Sequence, residues 1–271
     1  MSVAVATGVQ RIERAFAFAR AEGRVTVVVY VTVGYPERSA TAGLLRAALD
    51  GGADVVELGV PFSDPMADGA TIQRANETAL GQGVTLADCI AEGASLVRDR
   101  DAAVLLMGYL NPFLRYGPGL SADLRSAGIA GVIVPDLPAE ESAELDASFG
   151  PAGLARIDMY APTTPDARLE RLLPSARGFV YCVSLTGVTG ARTEMPADVG
   201  VFIHRVRART SLPIALGFGI ASPEHVRALD GLVDGVVVGS AAIDAIGRAA
   251  PPDRERSLRD FVRSLREAGE R

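Results

Sequence analysis

The chain contains no lysine; all 27 of its basic residues are arginine. Covalent catalysis through a lysine imine is therefore excluded. Histidine is almost absent as well, with only His204 and His225, so a three-histidine zinc centre cannot be assembled. His204 falls inside the helical spacing of Val199, Phe202, Ile203 and Val206, and His225 follows the helix start Ser222-Pro223-Glu224. Both read as surface helix residues, and neither lies near a nucleophile-elbow sequence that would support a Ser-His-Asp triad. The two cysteines, Cys89 and Cys182, match no metal-ligand spacing and read as small buried apolar residues in a reducing, cytoplasmic setting. There is no excess of basic charge: the net charge of -6 argues against nucleic acid as a partner. No apolar run reaches the ~18 residues of a membrane span. The first twenty residues carry Glu13 and helical spacing rather than the charged start and apolar centre of a signal peptide. No Ser/Gly linker interrupts the 271 residues, which points to a single domain over 1–271. Carboxylates and backbone amides are what remains for chemistry.

Short apolar, β-branched runs alternate with stretches of helical period. The strand candidates are Val25–Val31, Asp54–Leu58, Ala103–Met107, Gly131–Val134, Leu154–Met159, Phe179–Val183, Pro213–Leu216 and Gly235–Val238. Their nearly continuous apolar character suits parallel strands buried on both faces. Helical spacing recurs in Leu86, Ile90, Ala94 and Val97, and again in Leu258, Phe261, Val262 and Leu265. Repeated strand–helix alternation predicts an α/β fold, a (β/α)8 TIM barrel, with an extra N-terminal helix near Arg11–Ala21 closing its bottom. The alternative, an open doubly wound sheet, calls for a glycine fingerprint after its first strand, and Val33-Gly34-Tyr35-Pro36 is not one. Loops that follow the strands are rich in Gly, Pro, Asp, Asn and Tyr, whereas Asp50-Gly51-Gly52 and Ser126-Ala127-Gly128, which precede strands, are plainer. One mouth of the barrel is thus marked as the site.

Two groups of residues stand out at that mouth. Glu57 ends an apolar strand, where a carboxylate is expensive to desolvate, and Asp68 lies on the loop that follows. The pair suits acid/base work, although Glu57 alone could be a solvated or arginine-paired strand end and Asp68-Gly69 an ordinary turn. Late in the chain come Gly187-Val188-Thr189-Gly190, Gly217-Phe218-Gly219 and Gly239-Ser240. Loops of small residues after the last barrel strands let backbone N–H groups approach a phosphate, and a helix opening at Ser240 adds its positive end. The same glycines could serve only as tight turns.

The stretch Glu57-Leu-Gly-Val-Pro-Phe-Ser-Asp-Pro-Met-Ala-Asp68-Gly-Ala-Thr-Ile-Gln73 resembles the signature of the tryptophan synthase α subunit family. The resemblance extends over almost the whole chain through Val31–Pro36, Met107–Pro112, Pro135–Glu141, Ala161–Pro165, Tyr181, Gly187–Gly190, Gly217–Ile220 and Gly239-Ser240. It implies a lyase of tryptophan biosynthesis that cleaves indole-3-glycerol phosphate to indole and glyceraldehyde 3-phosphate. By this resemblance Glu57 is the general acid/base and Asp68 holds the indole N–H, with Tyr181 beside Glu57. Gly190, Gly219, Gly239 and Ser240 match phosphate-binding positions. Tyr30, Met107, Tyr109, Ile133, Tyr160 and Phe218 match the indole pocket. Leu185–Pro196 matches a lid that Thr189 helps to hold closed, though it could be a plain connector. No cofactor is implied in this chain, since pyridoxal phosphate belongs to a β subunit with which the family forms an α2β2 complex. Pro61-Phe62-Ser63-Asp64-Pro65 resembles part of that contact, or else a rigid wall of the site. The chemistry fits the inventory: once its C3 is protonated, the indole ring serves as its own electron sink, and neither metal nor lysine is called for. Other readings are a stand-alone lyase releasing free indole, a catalytically weak allosteric partner of a β subunit, and a phosphate-binding barrel isomerase.

Overall fold

The structure, a computed structural model, describes residues 6–183, 197–217 and 219–270. Its strands are β1 (Thr26–Thr32), β2 (Val55–Gly59), β3 (Ala103–Met107), β4 (Gly131–Ile133), β5 (Ala155–Ile157), β6 (Met159–Tyr160), β7 (Val180–Val183), β8 (Ile214–Gly217) and β9 (Gly235–Val238). They form one sheet in the order β5-β4-β3-β2-β1-β9-β8-β7-β6, and every pair is parallel. Only Asp158 separates β5 from β6, so the sheet closes on itself through the chain and the molecule is a (β/α)8 barrel with helices outside. The predicted strand Leu154–Met159 is thus one segment that changes partners midway. Its first half pairs with β4 and its second with β7, and the Tyr181 N–H reaches back to the Asp158 carbonyl at 3.1 Å. This is the stagger that closing a tilted sheet demands.

Alternation along the strands sorts side chains into two layers. Val27, Val29 and Val31 face the helices, while Val28 and Tyr30 face the barrel interior together with Val55, Leu105, Met107, Ile133, Phe179 and Tyr181. The helical stripes fill the outer layer. The helix Leu86–Arg100 buries Leu86, Cys89, Ile90, Gly93 and Leu96, a stripe rotated slightly from the one read in the sequence. Cys89 and Cys182 are buried free thiols in that layer.

The interior is plugged from below by the N-terminal helix, Gly8–Ala21, whose Ile12 and Phe16 belong to the inner cluster. It starts three residues earlier than predicted, because Thr7 and Gln10 form a reciprocal capping box. Phe16 packs on Phe179 with ring centroids 5.2 Å apart, and Phe179 lies 6.2 Å from Tyr181, so an aromatic column rises from plug to mouth.

An ion pair ties the bottom loops together. Asp54, just before β2, takes Arg24 at both oxygens (2.7 and 2.8 Å) and also the Val27 N–H at 2.9 Å. The Arg24 and Asp54 side chains are 2% and 7% exposed, so truncating one strands the other in low dielectric. Asp54→Ala is expected to lower folding stability by about 3 kcal/mol, read by urea titration; a loss under about 0.5 kcal/mol would mean that Glu22 alone satisfies the guanidinium.

Candidate active site

Glu57 sits at the middle of β2, level with Tyr30 on β1 and Leu105 on β3, and points into the barrel. It is fully buried, and neither carboxyl oxygen has a hydrogen-bond partner among the described residues. Burial pushes its pKa up to about 8. The carboxyl is therefore mostly protonated at neutral pH, the condition for a general acid. It is neither a solvated strand end nor, among the described residues, one half of an arginine pair.

Asp68 stands on the loop leaving β2, just before the helix Ala70–Gly81. Burial raises its pKa to about 6, while hydrogen bonds from Asn76 and Tyr109 work the other way. The Asn76 amide donates to Asp68 Oδ2 at 3.2 Å. Asn76 is itself buried, and it lies two helical turns beyond Asp68. The Tyr109 hydroxyl accepts the Ala67 N–H at 2.8 Å, and its ring stacks on Phe62 at 5.2 Å. The two carboxyls therefore differ: at neutral pH one holds a proton and the other is largely ionised. Such a split assigns acid and anion roles without a metal or an amine.

Two tyrosines flank the pair. Tyr181 on β7 is buried, and burial followed by the charges of Glu57 and Asp68 drives its hydroxyl pKa upward. Tyr30 feels burial first and then Asp68 and Glu57. Each ring lies over a glycine on the next strand: a Cβ at Gly59 would collide with the Tyr30 hydroxyl, and one at Gly217 with that of Tyr181. Met107 and Ile133 line the same interior.

The structure does not bring Tyr160 to this group. It packs in the outer layer and feels Asp158, Arg156, Arg168 and Glu140, whereas Met159, one residue earlier, packs against the interior. The strand predicted over Leu154–Met159 runs one residue further, and alternation turns Tyr160 outward. Gly239 precedes the helix Ser240–Arg248, which has no acidic side chain in its first turn. The first four N–H groups of a helix have no helical carbonyl behind them to bond; here they are those of Gly239, Ser240, Ala241 and Ala242, since the Ile243 N–H takes the Gly239 carbonyl at 3.1 Å. Gly239 lies close to Tyr30 and Ile72, so this helix end borders the barrel interior that holds Glu57. Gly219, after β8, holds a φ of +101°, which favours glycine. Thr189, Gly190, Phe218 and the stretch Leu185–Pro196 lie outside the described residues. Sequence reasoning missed Asn76, Thr32 and the roles of Gly59 and Gly217; of these, only the spacing of Asn76 from Asp68 offered a signal. Both histidines are where expected, His204 on the helix Ala197–Arg207 and His225 on Pro223–Arg227.

Residues 16–269 match the family model described as tryptophan synthase alpha chain. The chain is 50% identical over 258 residues to the tryptophan synthase alpha chain of Roseiflexus sp. (strain RS-1), covering 94% of this chain and 99% of that one. It is 49% identical to that of Chloroflexus aggregans, with 96% and 98% covered. Among solved structures it is similar to Mycobacterium tuberculosis tryptophan synthase, with a TM-score of 0.88, 34% identity and 96% and 98% coverage. It is also similar to the tryptophan synthase alpha chain of Legionella pneumophila, with a TM-score of 0.86, 32% identity and 95% and 96% coverage.

Proposed function

The chain belongs to the tryptophan synthase alpha chain family, and from that premise we propose how its barrel mouth performs the reaction. It is a carbon–carbon lyase of tryptophan biosynthesis, cleaving indole-3-glycerol phosphate to indole and glyceraldehyde 3-phosphate. The observation that carries the mechanism is the unequal carboxyl pair. Glu57, protonated at neutral pH, gives its proton to indole C3. Asp68, ionised, accepts the indole N–H and balances the positive charge that develops on the ring. The Glu57 carboxylate then takes the proton of the glycerol hydroxyl beside the scissile bond. The carbon–carbon bond breaks, its electrons return to the ring, and Glu57 ends as it began. Tyr181 positions Glu57 from β7, and Tyr30, Met107 and Ile133 enclose the ring. The N–H groups opening at Ser240, with Gly219 and Gly239, hold the phosphate. Thr189, Gly190 and Phe218 are assigned to the same pocket by family resemblance.

We read the chain as one domain that needs no cofactor of its own, acting in the cytoplasm with a pyridoxal-phosphate-dependent β subunit in an α2β2 complex. No described helix is long and apolar enough to cross a membrane. The Pro61–Pro65 loop suits the partner contact: its Ser63 and Asp64 are exposed, as is Met66 just after it, at 95%. Phe62, stacked on Tyr109, links that loop to Asp68. A stand-alone lyase or a catalytically weak partner is not favoured. Incubation with indole-3-glycerol phosphate is expected to release indole and aldehyde in equal amounts, faster with a β subunit present. No indole under either condition would overturn the reaction assigned, and equal rates with and without the β subunit would overturn the coupling.

A further inference from the structure

The barrel interior holds an acceptor without a donor and, beside it, a donor without an assigned acceptor. The acceptor is Glu57, whose two oxygens are buried and unpartnered among the described residues. The donor is Tyr30, its register partner on β1. A phenol hydroxyl both accepts and donates. Thr32 Oγ1 donates to Tyr30 Oη at 3.2 Å, which occupies the accepting side and leaves the phenol proton to be given elsewhere. Thr32 is fully buried and Tyr30 is 5% exposed, so this hydroxyl pair belongs to the interior. The ring cannot swing freely, because it runs across Gly59, where a Cβ would collide with both Cζ and Oη. Gly59 follows Glu57 by two residues on the same face of β2, so the hydroxyl hangs just above the level of Glu57.

We propose that the Tyr30 hydroxyl, held by Thr32 over Gly59, is a positioning residue that donates its hydrogen bond to the Glu57 carboxylate while Glu57 is deprotonated. The inference rests on the acid/base role given to Glu57 above. Once Glu57 has handed its proton to the ring carbon it is a buried anion, the costliest species in the cycle. A phenol donor lowers that cost and so makes Glu57 a stronger acid. Asp68 is the less needy acceptor, since Asn76 and Tyr109 already serve it. Its charge also opposes ionisation of the phenol and keeps Tyr30 a donor. The titratable groups that feel the Glu57 carboxylate are Tyr30 from β1 and Tyr181 from β7, and both also feel Asp68 on the loop after β2. Cys89, on the helix Leu86–Arg100, lies in the outer layer, and β3 contributes only Leu105 at the level of Glu57.

The test is Tyr30→Phe, which keeps the ring and removes the hydroxyl. Carboxyl-carbon NMR of the protein labelled at glutamate and aspartate, with the Glu57 signal identified by its loss in Glu57→Gln, should show Glu57 titrating about one pH unit higher than in the wild type. The alkaline limb of kcat/KM should move with it, and kcat/KM should fall about tenfold. Thr32→Val should shift Glu57 the same way by less, and the double variant should shift it no further than Tyr30→Phe alone. An unmoved Glu57 titration in a folded Tyr30→Phe protein overturns the proposal, as does a shift confined to Asp68. If Tyr30→Phe does not fold, Thr32→Val with an unchanged Glu57 titration has the same force. The NMR titration needs no substrate, so it reads this hydrogen bond even if wild-type protein releases no indole, an outcome that would instead sink the assigned reaction.

Discussion

Glu57→Gln is expected to reduce indole release by roughly 10²–10⁴-fold, the range for losing a well-placed general acid/base, and at the same time to make the protein more stable at alkaline pH. The two effects share one cause. Glu57 is fully buried with no partner among the described residues, and its pKa rises from an ordinary 4.5 to about 8. Between those values the folded protein keeps a proton that the unfolded chain has lost. Wild-type stability therefore declines as pH rises through that window, and the penalty is complete above about 8. Glutamine fills the same volume and never ionises, so the variant escapes the penalty. Against wild type it should gain on the order of a few kcal/mol at pH 9 relative to pH 4. Product assays together with urea titrations at the two pH values check both halves. A variant that is inactive but shows no pH-dependent gain would mean that Glu57 is solvated in the free protein; a variant with near-normal turnover would remove Glu57 from the mechanism.

Stability given up at a catalytic position explains why the site was partly legible in the sequence. A glutamate inside Val55-Val56-Glu57-Leu58-Gly59 interrupts an otherwise apolar strand. A residue that breaks a local rule with no structural gain points to function. The barrel was legible for the opposite reason, since every local signal agreed: β-branched runs of strand length, amphipathic stripes between them, and glycine- or proline-rich loops on one side only. The failures came where the deciding contact is distant in sequence. Which face Tyr160 presents depends on where β6 begins, and that is set by pairing with β7 rather than by local propensity. The service of Gly59 and Gly217 to tyrosine rings on neighbouring strands cannot be seen from either residue's own surroundings. The early start of the plugging helix was available in Thr7 and Gln10, a capping pair three residues apart.

Asp68→Asn is the companion test, and its signature should differ from that of Glu57→Gln. Asparagine keeps an oxygen to accept the indole N–H but carries no charge to balance the cationic ring. The loss should therefore fall on kcat, by roughly 10²–10³-fold as for other groups aimed at developing charge, with KM little changed. The pH profile separates the two carboxyls further. In the wild type, activity requires Asp68 ionised and Glu57 protonated, so kcat/KM should rise through about pH 6 and fall through about pH 8. Removing the Asp68 charge should erase the acid limb and leave the alkaline limb in place. The fold should survive, because the Asn76 amide can still donate to the retained oxygen and Tyr109 still holds the Ala67 N–H. Steady-state kinetics from pH 5 to pH 9 on the purified variant measure each quantity. An acid limb that persists in Asp68→Asn would assign that ionisation to another group, and a loss seen only in KM would make Asp68 a binding residue that contributes nothing specific to the transition state.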